Sequence, residues 1–149
     1  MNEDLQTVVS AVIAILKDTN MDPMVNAVVN RLVSFGYTPT EADAGIIAFS
    51  IQKAANHVLN ETNQPVIPDG MMEITVDMAC GEVLNVKFLS GQLTFGDLDL
   101  TGIVESIREG DTQVTFGKSG SAEEKVKDLI SWLIAGKGCD FLCFRKMRW

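Results

Sequence analysis

The sequence predicts a mainly α-helical protein: a bundle of about four to six helices with a short β-hairpin and an extended C-terminal tail. Apolar residues recur at helical spacing through most of the chain, and capping motifs precede several of these stretches. The length of 149 residues suffices for one hydrophobic core but not for two independent domains. We therefore expect a helical N-terminal extension over residues 1–22, a helical domain with the hairpin over 23–136, and a C-terminal docking tail over 137–149.

Two amphipathic helices are predicted in the first part of the chain. The first runs from about residue 3 to 18, and the second opens with Asp22 as a cap and Pro23 in its first turn, then stops at Gly36. Both follow the i, i+3, i+4, i+7 spacing of a helix with one apolar stripe. The stripe residues are Leu5, Val8, Val9, Val12, Ile13 and Leu16 in the first helix, and Val25, Val28, Val29 and Leu32 in the second.

A capping box predicts the start of a third helix. Thr38 can accept a hydrogen bond from the amide of Glu41 while the Glu41 side chain reaches back, and Pro39 takes the first helical position. A fourth helix is predicted over about residues 68–89. Gly81 lies inside this helix and costs about 1 kcal/mol relative to alanine, which indicates a close contact between helices there.

One β-hairpin is predicted between the fourth helix and the last. Residues 90–102 contain three glycines and no steady period, so they indicate a loop. Residues 103–117 predict the hairpin, with its turn at Glu109-Gly110-Asp111, because Val114 and Phe116 alternate with polar neighbours.

A last helix and an aromatic tail follow the predicted hairpin. Ser121 and Glu124 form a second capping box, and the helix that follows ends at Gly136. The tail beyond it combines aromatic and basic residues, which is the composition of interface anchors. Two interpretations stay open: the tail docks on a partner, or it folds back onto its own domain as a last strand. The residues in question are Phe141, Leu142, Phe144, Arg145, Lys146, Met147, Arg148 and Trp149.

Charge is distributed unevenly along the chain. The net charge is −8, yet four of the 12 basic residues lie from Lys137 onward, where Asp140 is the one acidic residue. The acidic remainder should repel nucleic acid phosphates, which argues against a conventional DNA-binding domain but not against a channel wall that DNA slides past. Polar residues interrupt every apolar stretch, so no membrane span is expected, and the acidic Glu3 and Asp4 argue against a signal peptide.

No residue pattern indicates catalysis, a metal site or a cofactor, and we expect none of them. The one histidine, His57, has no partner at ligand spacing and should lie on a solvated helix face. Three cysteines, Cys80, Cys139 and Cys143, form no CxxC pair and fit structural thiols of a reduced cytoplasmic protein. The sequence contains no P-loop, GxSxG or dinucleotide-binding fingerprint.

The order of several short motifs is similar to that of a known protein family. The motifs are RLVSFGY (31–37), EAD (41–43), IPDG (67–70), VDMACGEVL (76–84), SIREGDTQVTF (106–116) and FRKMRW (144–149). In this order they resemble the small head-tail connector, or adaptor, proteins of long-tailed phages and prophages of Gram-positive bacteria. The similarity runs in register over about residues 24–149, whereas the first 22 residues look like an addition.

The resemblance implies a structural role in the head-tail neck of a virion. Such a protein assembles in the host cytoplasm as a ring of about twelve copies below the portal, extends the DNA channel, and supports the next neck protein, a stopper or tail-completion protein. DNA would pass through the lumen without sequence-specific binding, and no membrane would be involved. The implied portal-binding residues are Phe141, Phe144, Arg145, Lys146, Arg148 and Trp149. The implied hairpin contacts with a neighbouring copy or the next neck protein are Glu109, Gly110, Asp111, Val114 and Phe116.

Two other classes of function stay open on the residues alone. The same composition fits a small acidic regulatory or inhibitory module of the bacterial cytoplasm, which would bind other proteins and stay monomeric. A thiol enzyme using Cys139 or Cys143 would require a reactive thiol of low pKa.

Overall fold

The computed structural model of the chain describes residues 2–93, 98, 121–135 and 140–147. Within these ranges the fold is mainly helical, with six α-helices and no strand, and the predicted helical bundle is confirmed. The hairpin predicted near residues 103–117 lies outside the described residues. The helices are α1 (Glu3–Leu16), α2 (Asp22–Ser34), α3 (Ala44–Thr62), α4 (Met72–Leu89), α5 (Ala122–Ala135) and α6 (Asp140–Phe144).

Helix α4 lies at the centre of the bundle. It packs against α2, α3 and α5, and the four consecutive residues from Met78 to Gly81 are all buried. A helix buries consecutive residues only when neighbours cover every side of it. Helix α1 instead packs on α2 and α3 through an apolar stripe that includes Val8 and Val12. The region predicted as an N-terminal extension therefore contributes to the same core.

Large apolar side chains from all five long helices fill this core. Burying one of them contributes roughly 1.5–3 kcal/mol relative to leaving it in water. Side chains with 1% exposure or less include Val12, Leu32, Ile51, Leu84 and Leu133.

Gly81 marks a close approach of α4 and α5. A Cβ atom at this position would lie 2.8 Å from the Cβ of Leu133 and 3.1 Å from the backbone nitrogen of Ile134. Real Cβ atoms do not come this near to a neighbouring helix, so glycine is what lets the two helices pack. The close helix contact predicted at Gly81 is confirmed.

Helix α2 ends where the sequence predicts but starts with a different cap. Gly36 adopts a positive φ of 88°, and the amide of Tyr37 donates to the carbonyl oxygen of Leu32 at 3.0 Å, which completes a left-handed C-terminal cap. At the start, Asp22 is already the first helical residue. The N-cap of α2 is Met21, which makes no side-chain capping hydrogen bond. In the 3₁₀ turn before it, Asp18 accepts a hydrogen bond from the Asn20 amide at 3.0 Å.

The capping box predicted for α3 is also displaced. A 3₁₀ turn over Glu41–Asp43 precedes the helix, and the box is formed by Thr40 and Asp43, with the Thr40 amide 2.9 Å from Asp43 Oδ2. The box therefore lies two residues further along the chain than predicted, and Thr38 is not part of it. The second box, over residues 121–124, is confirmed by reciprocal hydrogen bonds of 3.0 and 3.3 Å.

Candidate interaction site at the C-terminal tail

The C-terminal tail is folded against its own domain over residues 140–147. Helix α6 packs on α3, and Phe141 is only 7% exposed within the main core cluster. Its ring meets the exposed ring of His57 edge-on, with centroids 5.5 Å apart and planes at 89°. The tail is therefore not extended here, and it folds back as a helix and not as a strand, because a short helix turns Phe141 toward α3.

Phe144 provides a second contact on the same side of α6. The two phenylalanines are three residues apart, so they share one face of the helix. A Cβ atom at Gly70 would lie 2.6 Å from Cζ of Phe144, which means that the ring lies directly on the glycine backbone. The glycine of the 3₁₀ turn before α4 thus leaves the space that the tail occupies.

Hydrogen bonds join the tail to the C-terminal end of α3. The amide of Lys146 donates to the carbonyl oxygen of Thr62 at 2.8 Å, a carbonyl in the last turn of the helix. Asn63, in the left-handed conformation with φ 52°, donates from its side chain to the Lys146 carbonyl oxygen at 2.8 Å. The side chain of Gln64 donates to the carbonyl oxygen of Phe144. The tail therefore closes the end of α3 as a folded element.

The outward side of the docked tail carries apolar and basic residues. Leu142 is 70% exposed and Met147 79%, with Arg145 and Lys146 exposed beside them. The loop that receives the tail adds Val66, which is 68% exposed. An exposed apolar group flanked by cations, on a chain of net charge −8, marks a candidate interaction surface. We call these five residues the tail surface.

The implied portal-binding residues thus divide into three pairs. Phe141 and Phe144 face inward and hold the tail on its own domain, whereas Arg145 and Lys146 face outward. The final residues, 148 and 149, lie outside the described residues. The implied hairpin contacts, from Glu109 to Phe116, lie outside them as well.

The cysteines are placed differently from one another. Cys80 is fully buried in α4, and burial first, then the nearby Asp77 carboxylate, raises the pKa of its thiol far above the ordinary range. The thiol stays protonated and lies 3.6 Å from the Val28 carbonyl oxygen, consistent with a packing role. Cys143 is exposed on α6, and Cys139 lies outside the described residues.

A buried ion pair lies at the opposite end of α3, and the sequence reasoning missed it. Asp43 is 3% exposed and Lys87 of α4 is 9% exposed, and their side chains form a salt bridge. Tyr37 donates from its hydroxyl to Asp43 Oδ2 at 2.9 Å, and Lys87 also donates to Gln92 at 2.8 Å. Every charged atom of the pair therefore has a hydrogen-bonding partner, as burial requires. One sequence signal could have revealed the pair. Lys87 follows Val83 by four residues, so the helical period places this lysine on the buried side of α4.

Titration at this cluster follows from its geometry. Burial alone would raise the pKa of Asp43, but hydrogen bonds from Lys87, Thr40 and Tyr37 together outweigh it and hold that pKa below its ordinary value. Burial, reinforced by the hydrogen bond to Asp43, raises the pKa of Tyr37. The cluster thus joins the turn before α3 to the end of α4 through a buried ion pair.

Among the described residues no group of three His, Cys, Asp or Glu side chains could hold a metal ion. No helix in the same part of the chain is long and apolar enough to cross a membrane. Comparison with family models, curated proteins and solved structures finds no match to this chain.

Proposed function

We propose that this protein is a structural head-tail connector of a tailed bacteriophage. It forms a ring below the portal, extends the DNA channel, and supports the next neck protein. The observation that carries the proposal is the tail surface, because it places exposed apolar and basic side chains where the family resemblance locates portal attachment. The proposal requires no catalytic group.

The docked tail suits such a contact because it is already ordered. Phe141 and Phe144 fix the tail on α3 and Gly70, so little conformational freedom of these residues is lost when a partner binds. The portal contact then falls to Arg145 and Lys146, together with Arg148 and Trp149, which follow them in the sequence. Each contact is modest, but repetition around a ring would give strong avidity.

The charge of the chain fits the proposed passage of DNA. A lumen rich in lysine and arginine would hold DNA through its phosphates, whereas a chain of net charge −8 can line a channel without gripping it. We therefore expect an acidic lumen. A reconstruction of the assembled neck with a net basic wall would contradict this part of the proposal.

The test has two steps: a search for a portal gene beside this one, and copurification of the chain with the portal protein which that gene encodes. The wild-type chain should copurify with the portal, and the double variant Arg145→Glu/Lys146→Glu should lose most of the complex. The matched control is Lys17→Glu/Lys127→Glu, an equal change of charge at two exposed lysines away from the tail. The proposal fails if no portal gene adjoins this one, or if the wild-type chain stays monomeric and unbound with excess portal, as the regulatory module would.

A further inference from the structure

An open groove runs between α2 and the first half of α4. Its floor is apolar, formed by Ala27, Met72 and Val76. At its edge, Arg31 Nε lies 2.8 Å from Asp77 Oδ1, and the Arg31 guanidinium also stacks over a phenylalanine ring at 4.7 Å. The ion pair neutralises itself, so the groove is concave, mostly apolar, and has one further charge, the exposed Glu73.

A protruding apolar strip lies on α3 and the second half of α4. Phe49 is 67% exposed, Leu89 75% and Val86 42%, and we call these three residues the apolar strip. Lys53 and Glu82, joined at 2.8 Å, fix the two antiparallel helices beside each other. Phe49 precedes Lys53 by one turn and Val86 follows Glu82 by one turn, so the strip is continuous with this ion pair.

The charges around the two surfaces favour a second copy of the chain as the occupant. Two chains of net charge −8 repel each other except where their charges are locally neutral. The strip meets that condition through the Lys53–Glu82 pair, and the groove comes close to it, because Arg31 and Asp77 pair with each other and only Glu73 adds a charge. Although Lys53 is paired with Glu82, its side chain is 54% exposed, so its outer side can also face the Glu73 carboxylate that lines the groove of another copy.

We infer that the apolar strip of one copy docks in the α2–α4 groove of the next copy. The groove uses residues 72–77 of α4 and the strip uses residues 86–89, so both surfaces of one subunit can be occupied at once. A contact between two different surfaces is heterologous, and it propagates into a ring when the rotation between copies closes. The inference depends on the proposed function only for closure into a ring, while the contact itself needs no portal.

The experiment uses two full-length variants, one that changes the apolar strip and one that changes the groove. The strip variant, Phe49→Ala/Leu89→Ala, removes the two largest protruding side chains. The groove variant, Asn30→Trp, fills the groove from an exposed position on α2. The control, Val66→Ala/Leu142→Ala, truncates apolar residues that are 68% and 70% exposed but lie on the tail surface. Far-ultraviolet circular dichroism verifies that each variant is folded.

Sedimentation of the wild-type chain without portal should show association that strengthens with concentration. The strip and groove variants should each weaken it by about tenfold or more, the loss expected when a central interface anchor is truncated or blocked. The control should associate like the wild type. A mixture of the strip variant and the groove variant should form a dimer and nothing larger, because one intact groove and one intact strip remain.

Three results would overturn the inference. The wild-type chain could stay monomeric even at millimolar concentration. The groove variant could associate normally while the strip variant does not, which would mean that strips pair with strips. The control could lose association as fully as the other two variants, which would mean that the loss is not specific to the strip and the groove. Portal copurification that persists in any of these cases would leave the proposed function standing, and its loss with normal self-association would remove that function alone.

Discussion

The two ends of α3 are held by opposite kinds of chemistry. Before its first turn, Asp43 is tied to Lys87 of α4 by a buried ion pair with a full set of hydrogen bonds. At its last turn, the tail is held by two phenylalanine rings and by hydrogen bonds to backbone atoms. The first end depends on charge and the second on apolar burial, so the two should differ in pH dependence and in their tolerance of substitution.

The largest effect is expected from Lys87→Met, which leaves the carboxylate of Asp43 buried without its cation. The free energy of unfolding should fall by about 3–5 kcal/mol, as when one partner of a buried pair is removed. Lys53→Met is the control, because its pair with Glu82 is more exposed and should contribute about 0–1 kcal/mol. Urea denaturation of both variants measures the difference, and equal losses would show that burial of the first pair has no energetic consequence.

Phe141→Ala tests the apolar end and should lower the free energy of unfolding by about 3 kcal/mol, the range for truncating a buried phenylalanine. The neighbouring Leu142→Ala should cost less than about 0.5 kcal/mol, since that side chain is 70% exposed. Thermal unfolding and limited proteolysis of the tail report the two effects. If both variants behave alike, the tail does not depend on the core contact that the structure gives it.

Acid should weaken only the charged end. Because the pKa of Asp43 is lower in the folded chain than in the unfolded chain, its contribution is complete above the unfolded value, near pH 4. This contribution to stability is lost as the pH falls through the lower pKa that Asp43 has in the folded chain. The melting temperature of the wild type should therefore fall more steeply below pH 4 than that of Asp43→Asn. Phe141→Ala should keep the wild-type slope, and a flattened slope in that variant would mean that the two ends are coupled.

The smallest effect is expected at Gly70, where alanine would meet the outer edge of the Phe144 ring. Its Cβ would lie 2.6 Å from Cζ, but the end of a side chain can shift, so the cost should be about 1 kcal/mol. The double variant Gly70→Ala/Phe144→Leu should recover part of this loss in urea denaturation. No recovery would indicate that the turn at residues 69–71, and not the ring, sets the cost.

The sequence predicts those parts of the fold that neighbouring residues determine. The stop at Gly36, the capping box at residues 121–124 and the close contact at Gly81 depend on backbone conformation or helical period, and all three are confirmed. The cap of α3 was assigned to Thr38 and Glu41, whereas Thr40 and Asp43 form the box, and Asp43 is also bound by Lys87, 44 residues away in the chain. No local pattern contains a contact of that separation.

The tail shows a different limit of the sequence reasoning. Its aromatic residues identified it as a docking element, but the sequence left open whether it docks on a partner or folds back onto its own domain as a strand. The spacing of Phe141 and Phe144 already indicated one apolar face of a helix. The sequence could not show which surface of the domain the tail packs on. Gly70 belongs to that surface only because the Phe144 ring lies on it, and no sequence pattern links the two residues.

Burial of the middle of α4 on every side has a consequence for how the molecule exchanges its amide hydrogens with solvent. The amides of Met78 to Gly81 have neighbours on every side, so exchange there requires the whole bundle to open. The Lys146 amide, bonded to the Thr62 carbonyl at the edge of the domain, needs only the tail to detach. Exchange at the first site therefore reports global unfolding, and exchange at the second reports how often the tail leaves α3.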